Sequence, residues 1–233
     1  MATLDFKQMS IAYGAAQAMV SEMERNGFRI EVLHDRDEFA EAMASLPNPL
    51  GVSRSFEIWS DRAFWMKCVD IESGQLAGIR SCDVFETGNL RADFQSWRRF
   101  RRIPPLDWKG MNIETNKLDS VCGLIGFGGS VCIHPDFHSQ GLATYLSKVT
   151  RYLLLGFHGV DFFVGLIETE LKARRLGLMQ LDFTNLAKVF DGYYPGRDRE
   201  MEVSVVWINA EEILDEAIQY CVSTEEVGKS LAV

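Results

Sequence analysis

Residues 131–150, VCIHPDFHSQGLATYLSKVT, constrain this chain more than any other stretch, because they run from an apolar strand through a proline turn and a glycine into a helix. Val131, Cys132 and Ile133 read as the end of a buried strand, which Pro135 and Asp136 break. From Gly141 onward Leu142, Tyr145, Leu146, Val149 and Leu153 recur at helical spacing, so a helix starts where the turn stops. The N-terminus of a helix presents backbone N–H groups with no partner inside the helix and the positive end of its dipole. Glycine there lets a bulky anion come close to the backbone. Such a junction suits a pyrophosphate.

These residues resemble the acyl-CoA signature of the GNAT superfamily of N-acetyltransferases. In that family Arg/Gln, any, any, Gly, any, Gly/Ala follows a strand that ends in an apolar residue, a variable residue and proline. Here the signature reads His138, Ser139, Gln140, Gly141, Leu142, Ala143, preceded by Ile133, His134, Pro135, Asp136 and Phe137. His138 departs from the pattern: it removes a permanent charge or an amide donor, although the family's phosphate contacts are mostly main-chain. The resemblance implies an α/β fold, a GNAT-like mixed central sheet flanked by helices, here with an inserted segment and an extra C-terminal helix. It also implies acetyl-CoA or another acyl-CoA as co-substrate, with its pyrophosphate on the backbone of residues 138–143 and Thr144 beside it. Main-chain N–H groups near Ile133 would then polarise the thioester carbonyl. The acceptor it implies is a small-molecule amine that attacks directly, and no metal is called for.

A chain of 233 residues with ordinary apolar and charged content is a soluble protein of one large domain, read here as residues 1–233 with the GNAT-like core at about 28–208. Its net charge of -9 argues against general nucleic-acid binding. The first residues carry an aspartate where a secretory signal would be basic, and the most apolar window, 152–167, contains His158 and Asp161 and is too short for a bilayer. The expected location is the cytoplasm, with no membrane partner. Cys68, Cys82, Cys122, Cys132 and Cys221 are odd in number and widely spaced, which favours reduced thiols over disulfides or a metal site.

Along the chain, residues 11–26 read as an amphipathic helix, 28–33 as a strand, and 38–46 as a helix capped by Asp37. Residues 63–71 and 76–85 form a hairpin pattern about Glu72, Ser73, Gly74 and Gln75. An insertion follows at about 86–119, with a helix over 90–100 and the basic run Arg98, Arg99, Arg101, Arg102 between Trp97, Phe100 and Trp108. It is either a folded element near the acceptor or surface packing. Residues 121–133 and 160–167 are strands joined by the signature helix, hence a parallel pair. A helix over 169–178, a strand over 201–208 and a helix over 210–221 complete the chain.

Among chemical groups, Glu168 and Glu170 follow an apolar strand where a carboxylate could take the proton of an alkylammonium. The alternative reads both as solvated acids of a helix first turn. The family's general acid, a tyrosine, has Ala173 at its place, and Tyr193 or Tyr194 in GYYPG substitutes by chemistry alone, with a packed aromatic turn as the alternative. Residues 123–130, GLIGFGGS, lack the third glycine of a dinucleotide loop and read instead as a bulged strand whose backbone approaches a ligand. His134 and His138 straddle a proline turn without a carboxylate or cysteine set and read as turn residues. Two alternatives to acetyl transfer stand: a synthase of N-acyl amino acid or autoinducer type fed by an acyl carrier protein, and a non-catalytic acyl-CoA sensor.

Overall fold

The computed structural model describes residues 5–47, 60–96, 116–168, 183–194 and 199–230. Their elements are α1 (Phe6–Arg25), β1 (Phe28–Leu33), α2 (Arg36–Ser45), β2 (Phe64–Asp70), β3 (Leu76–Thr87), α3 (Leu90–Gln95), β4 (Gly123–Ile133), α4 (Leu142–His158), β5 (Phe162–Glu168), β6 (Asn185–Tyr194), β7 (Arg199–Asn209) and α5 (Ala210–Ser230). Single 3-10 turns precede β4 at Asn116–Ser120 and α4 at Pro135–Gln140.

The strands form one sheet in the order β1-β2-β3-β4-β5-β7-β6. Every neighbouring pair is antiparallel except β4 with β5, the pair that α4 connects, so the sheet is mixed. Helices α1, α4 and α5 cover one face, with Met19, Met23, Leu146, Val149, Leu153 and Ile213 packed on Phe64, Met66, Phe163 and Val206. On the other face α2 brings Phe39 and Met43 to Trp65 and Ile79, while α3 brings Leu90 and Phe94 to Ile125, Val164 and Val205. Each such fully buried side chain contributes about 1.5–3 kcal/mol of transfer free energy.

Local chemistry explains the boundaries. A capping box between Asp5 and Gln8 starts α1 several residues before the apolar periodicity does. Asp35, not Asp37, caps α2, because its carboxylate accepts from the N–H groups of Asp37 and Glu38. The Glu72–Gln75 hairpin is present, held by the Asp70 carboxylate on the N–H and hydroxyl of Ser73. One strand escaped the sequence reading: residues 185–194 are β6, and Tyr193 and Tyr194 sit on it opposite Glu200 and Arg199 of β7 rather than in a turn. Helix α5 continues to Ser230 through what reads as a polar tail.

Candidate functional site

The β4–β5 pairing begins at Ile125 opposite Phe162 and ends at Gly128 opposite Gly165. Both strands run on, to Ile133 and Glu168, each still bonded to its outer neighbour: β4 to β3 as far as Gly78 opposite Ile133, and β5 to β7 as far as Glu168 opposite Val203. The two halves of the sheet therefore part beyond Gly128, leaving a V-shaped gap along which β4 has no strand partner among the described residues. A strand's N–H groups alternate between its edges. Since the N–H of His134 donates to Ala77 O on the β3 side, the N–H groups of Ile133 and Val131 point into the gap.

The parting has a local cause. Between Arg80 opposite Val131 and Cys82 opposite Gly128, Ser81 faces two residues of β4, Gly129 and Ser130. This bulge bends β4 away from β5. Glycine suits the bend because a Cβ there would clash with Arg80 Nη2 and stand 2.8 Å from Phe163 Cζ, so that one of the two buried side chains would have to shift. The glycine-rich stretch is thus a bulged strand, as its composition suggests, and the groups that approach its backbone are protein side chains.

At the mouth of the gap the chain turns through the 3-10 segment and enters α4. Gly141 adopts φ 71° and ψ 7°, a left-handed conformation that glycine holds without strain. No side chain caps α4, and its first turn carries no acid. Its first backbone bonds run from Thr144 and Tyr145 to Gly141 O, so the N–H groups of Leu142 and Ala143 precede the helical ladder. An open, positive helix end thus lies at the C-terminal end of the parallel pair, where ligands of such sheets gather.

The sequence candidates divide by position. Ile133, His138, Ser139, Gln140, Gly141, Leu142, Ala143 and Thr144 all lie at this mouth, on the end of β4, the turn and the start of α4. His138 is exposed and its Nε2 donates to Ile133 O at 3.0 Å, tying the turn to the strand end. His134 caps the 3-10 turn through Asp136 N–H and lies 3.1 Å from the Gln75 side-chain amide. Phe137 anchors the turn from below, edge-on to Phe28 at 5.8 Å. Both histidines hold the turn's shape.

Glu168 ends β5 on the opposite lip of the gap. Tyr193 lies at the same end of the sheet but on β6, two strands beyond β5, and its register puts its backbone about 14 Å from that of Glu168. Glu170, Ala173, the expected helix over 169–178 and the run Arg98, Arg99, Arg101, Arg102 with its aromatics lie outside the described residues. The described flanks of the insertion, α3 and the turn at Asn116–Ser120, pack at the N-terminal end of β4, away from the mouth.

Burial pushes the Cys68 thiol up to about 12 and the Cys82 thiol well above its ordinary value, so neither is a thiolate nucleophile at neutral pH. Among the described residues no group of three His, Cys, Asp or Glu is placed to hold a metal. None of their helices is long and apolar enough to cross a membrane. A shallow hollow lined by Glu86, Gly123 and Asp161 lies at the other end of β4.

Sequence reasoning missed Arg80. It is 5 % exposed on β3, with its guanidinium at the point where the gap opens and over the Phe163 ring at 5.6 Å. The signal was present in sequence as a lone arginine within an apolar strand, LAGIRSCDVF.

No known family profile matches this sequence, and no curated protein does. Solved structures do. NAA60 of Arabidopsis thaliana, in complex with acetyl-CoA, matches with a TM-score of 0.50 and 11% identity over 78% of this chain and 98% of that one. The spermidine/spermine N-acetyltransferase SpeG of Vibrio cholerae matches with a TM-score of 0.48 and 11% identity over 82% and 97%. The ribosomal-protein-S5-alanine acetyltransferase of Vibrio fischeri matches with a TM-score of 0.41 and 10% identity over 64% of this chain, which spans 63% of that protein. Of these three, the first overlaps far enough to bear on the fold, and the fold is that of the GNAT acetyltransferases.

Proposed function

We propose that this chain is an acyl-CoA-dependent N-acyltransferase that moves an acetyl group to a small-molecule amine by direct attack. One observation carries the proposal: an uncapped helix end sits at the mouth of a gap between two parallel strands, so an anion site and an extended slot lie in series. Acyl-CoA has that form, a pyrophosphate followed by a long arm ending in a thioester. The same fold in NAA60 is seen with acetyl-CoA.

In this mechanism the pyrophosphate rests on the N–H groups of residues 138–143, with Gly141 allowing close approach and Thr144 completing the first turn. The arm lies along the open edge of β4. There main-chain N–H groups near Ile133, that of Val131 deeper in the gap among them, donate to the thioester oxygen and stabilise the oxyanion as the tetrahedral intermediate forms. Glu168, directly or through one water, takes the proton that the alkylammonium must lose before its nitrogen lone pair attacks. The C–N bond forms, the C–S bond breaks, and the CoA thiolate takes up a proton. Tyr193 lies on β6, two strands from β5, and water serves as the simpler proton donor. No covalent enzyme intermediate is needed, and holding both substrates in line supplies much of the rate. The buried reduced thiols favour a reducing compartment, the cytoplasm.

Calorimetric titration with acetyl-CoA tests the proposal. Wild type should bind, and Gly141→Glu, which puts bulk and negative charge where the anion sits, should abolish binding while circular dichroism stays native. Equal affinity in a folded Gly141→Glu would remove the phosphate site, and the CoA slot with it.

A further inference from the structure

Arg80 plays no part in the acetyl transfer proposed for this chain, yet it is a buried cation at the apex of the gap. Its Nε is sealed from solvent with no hydrogen-bond partner, and its guanidinium makes no hydrogen bond or ion pair among the described residues. Burial first, with the like charge of Arg151 adding to it, pushes the group down to about 10, and at neutral pH it is still a cation. An unpaired buried charge is costly. The face of Phe163, over which the guanidinium lies, offsets only part of that cost. Among the described residues the guanidinium is therefore a positive charge without a counter-ion.

The surroundings reinforce this. Phe163 stacks on Phe183 at 5.7 Å and 9°, and Arg151 lies over Phe183 at 5.9 Å. Arg151 has its own anion in Glu216 at 2.8 Å, a carboxylate that Lys148 shares at 2.9 Å. Arg80, on the other side of the ring pair, has none among the described residues. The CoA pyrophosphate does not supply one. By the register of β4 on β3, with Ile133 opposite Gly78 and Gly128 opposite Cys82, the glycine against which the guanidinium lies is about 13 Å from the mouth. Whatever neutralises Arg80 therefore sits deep in the gap, beyond the cofactor's pyrophosphate and on the side of the thioester.

We propose, resting on the acyltransferase reading above, that Arg80 is a binding residue for a substrate carboxylate at the apex of the β4–β5 gap. A guanidinium fork takes a carboxylate in a paired, directional contact that neither an acetyl group nor a plain alkylamine satisfies. The carboxylate belongs either to the acceptor, an amino acid, or to the acyl group, the half-thioester of a dicarboxylic acid.

Two arms of one experiment tell these apart. In the first, CoA release from acetyl-CoA is followed with the proteinogenic amino acids and with their α-amides. In the second, acetyl-CoA, malonyl-CoA and succinyl-CoA are titrated calorimetrically. A carboxylate on the acceptor gives an acid-over-amide ratio in kcat/KM of roughly ten- to a hundredfold. A carboxylate on the acyl group gives the same ratio in affinity between malonyl- or succinyl-CoA and acetyl-CoA. Either ratio should collapse to about one in Arg80→Met and fall to an intermediate value in Arg80→Lys, which keeps the charge without the fork. Arg80→Met should also melt at a higher temperature than wild type when free of ligand, because it removes an unpaired buried charge. The proposal is overturned if neither arm shows a ratio above one, if a ratio survives in Arg80→Met, or if that variant melts lower, which would mean the charge already has its partner. These outcomes differ from failure of acyltransfer itself, which shows as no heat of binding for any acyl-CoA in wild type.

Discussion

Glu168 and Gly128 mark the two ends of the working part of the gap, one at its lip and one at its apex, and each makes a claim that a single substitution can test. Glu168→Gln keeps size and polarity but cannot take a proton, so kcat should fall about a hundredfold while acetyl-CoA affinity stays within a few-fold. Stopped assays across pH decide it, and a kcat profile identical to wild type would pass the proton to bulk water. At Gly128 a methyl group has nowhere to go, since Arg80 and Phe163 are buried and packed against each other. Gly128→Ala should cost about 1–3 kcal/mol in denaturant unfolding, the range for overpacking a filled interior. Stability unchanged from wild type would mean that the guanidinium moves aside freely, contrary to the close fit at the apex.

At the scale of elements, three helices are clasped by one carboxylate. Glu22 of α1 accepts from Tyr145 of α4 at 2.7 Å and from Tyr220 of α5 at 2.5 Å. The hydrogen bond that Tyr145 donates to Glu22 raises its phenol above the ordinary value, and burial, followed by the bond donated to Glu22, raises Tyr220 further. A phenol raised in the folded state keeps its full contribution below the unfolded value, near 10, and loses it as pH climbs through the folded value. Urea unfolding should therefore show stability falling above about pH 10, and falling less steeply in Glu22→Gln. At pH 7 that variant should lose about 1.5–3 kcal/mol, the scale of a hydrogen bond to a charged group. Sequence periodicity could locate these helices but not the clasp, because Glu22 and Tyr220 meet only through the fold. The same limit explains β6: its residues carry Asp191 and Gly192 in mid-run, a turn signal that pairing with β7 overrides. The junction at residues 131–150 was legible because strand, turn, glycine and helix are all encoded locally, and each falls where its residues place it. Arg80 was not, since an arginine in an apolar strand declares its isolation only when its neighbours are known.

For the whole molecule, the consequence of the gap is that the sheet is two half-sheets joined through four residue pairs of β4 and β5 and through the helices laid across one face. A ligand that bonds to the edge of β4, fills the gap and rests on α4 spans both halves, so binding and folding are linked. The linkage has a definite size: at a hundredfold excess over its dissociation constant, acetyl-CoA should add about 2.7 kcal/mol to the unfolding free energy. For a chain of this length that is a rise in melting temperature of roughly 5–11 °C. If Gly141 lies against the pyrophosphate, as proposed, Gly141→Glu should show none of it. If Glu168 acts in the proton transfer, as proposed, Glu168→Gln should show all of it. Thermal melts of the three proteins with and without acetyl-CoA test the pattern. A rise confined to wild type would place Glu168 in the cofactor's grip rather than in its chemistry. An equal rise in Gly141→Glu would move the cofactor away from α4 altogether.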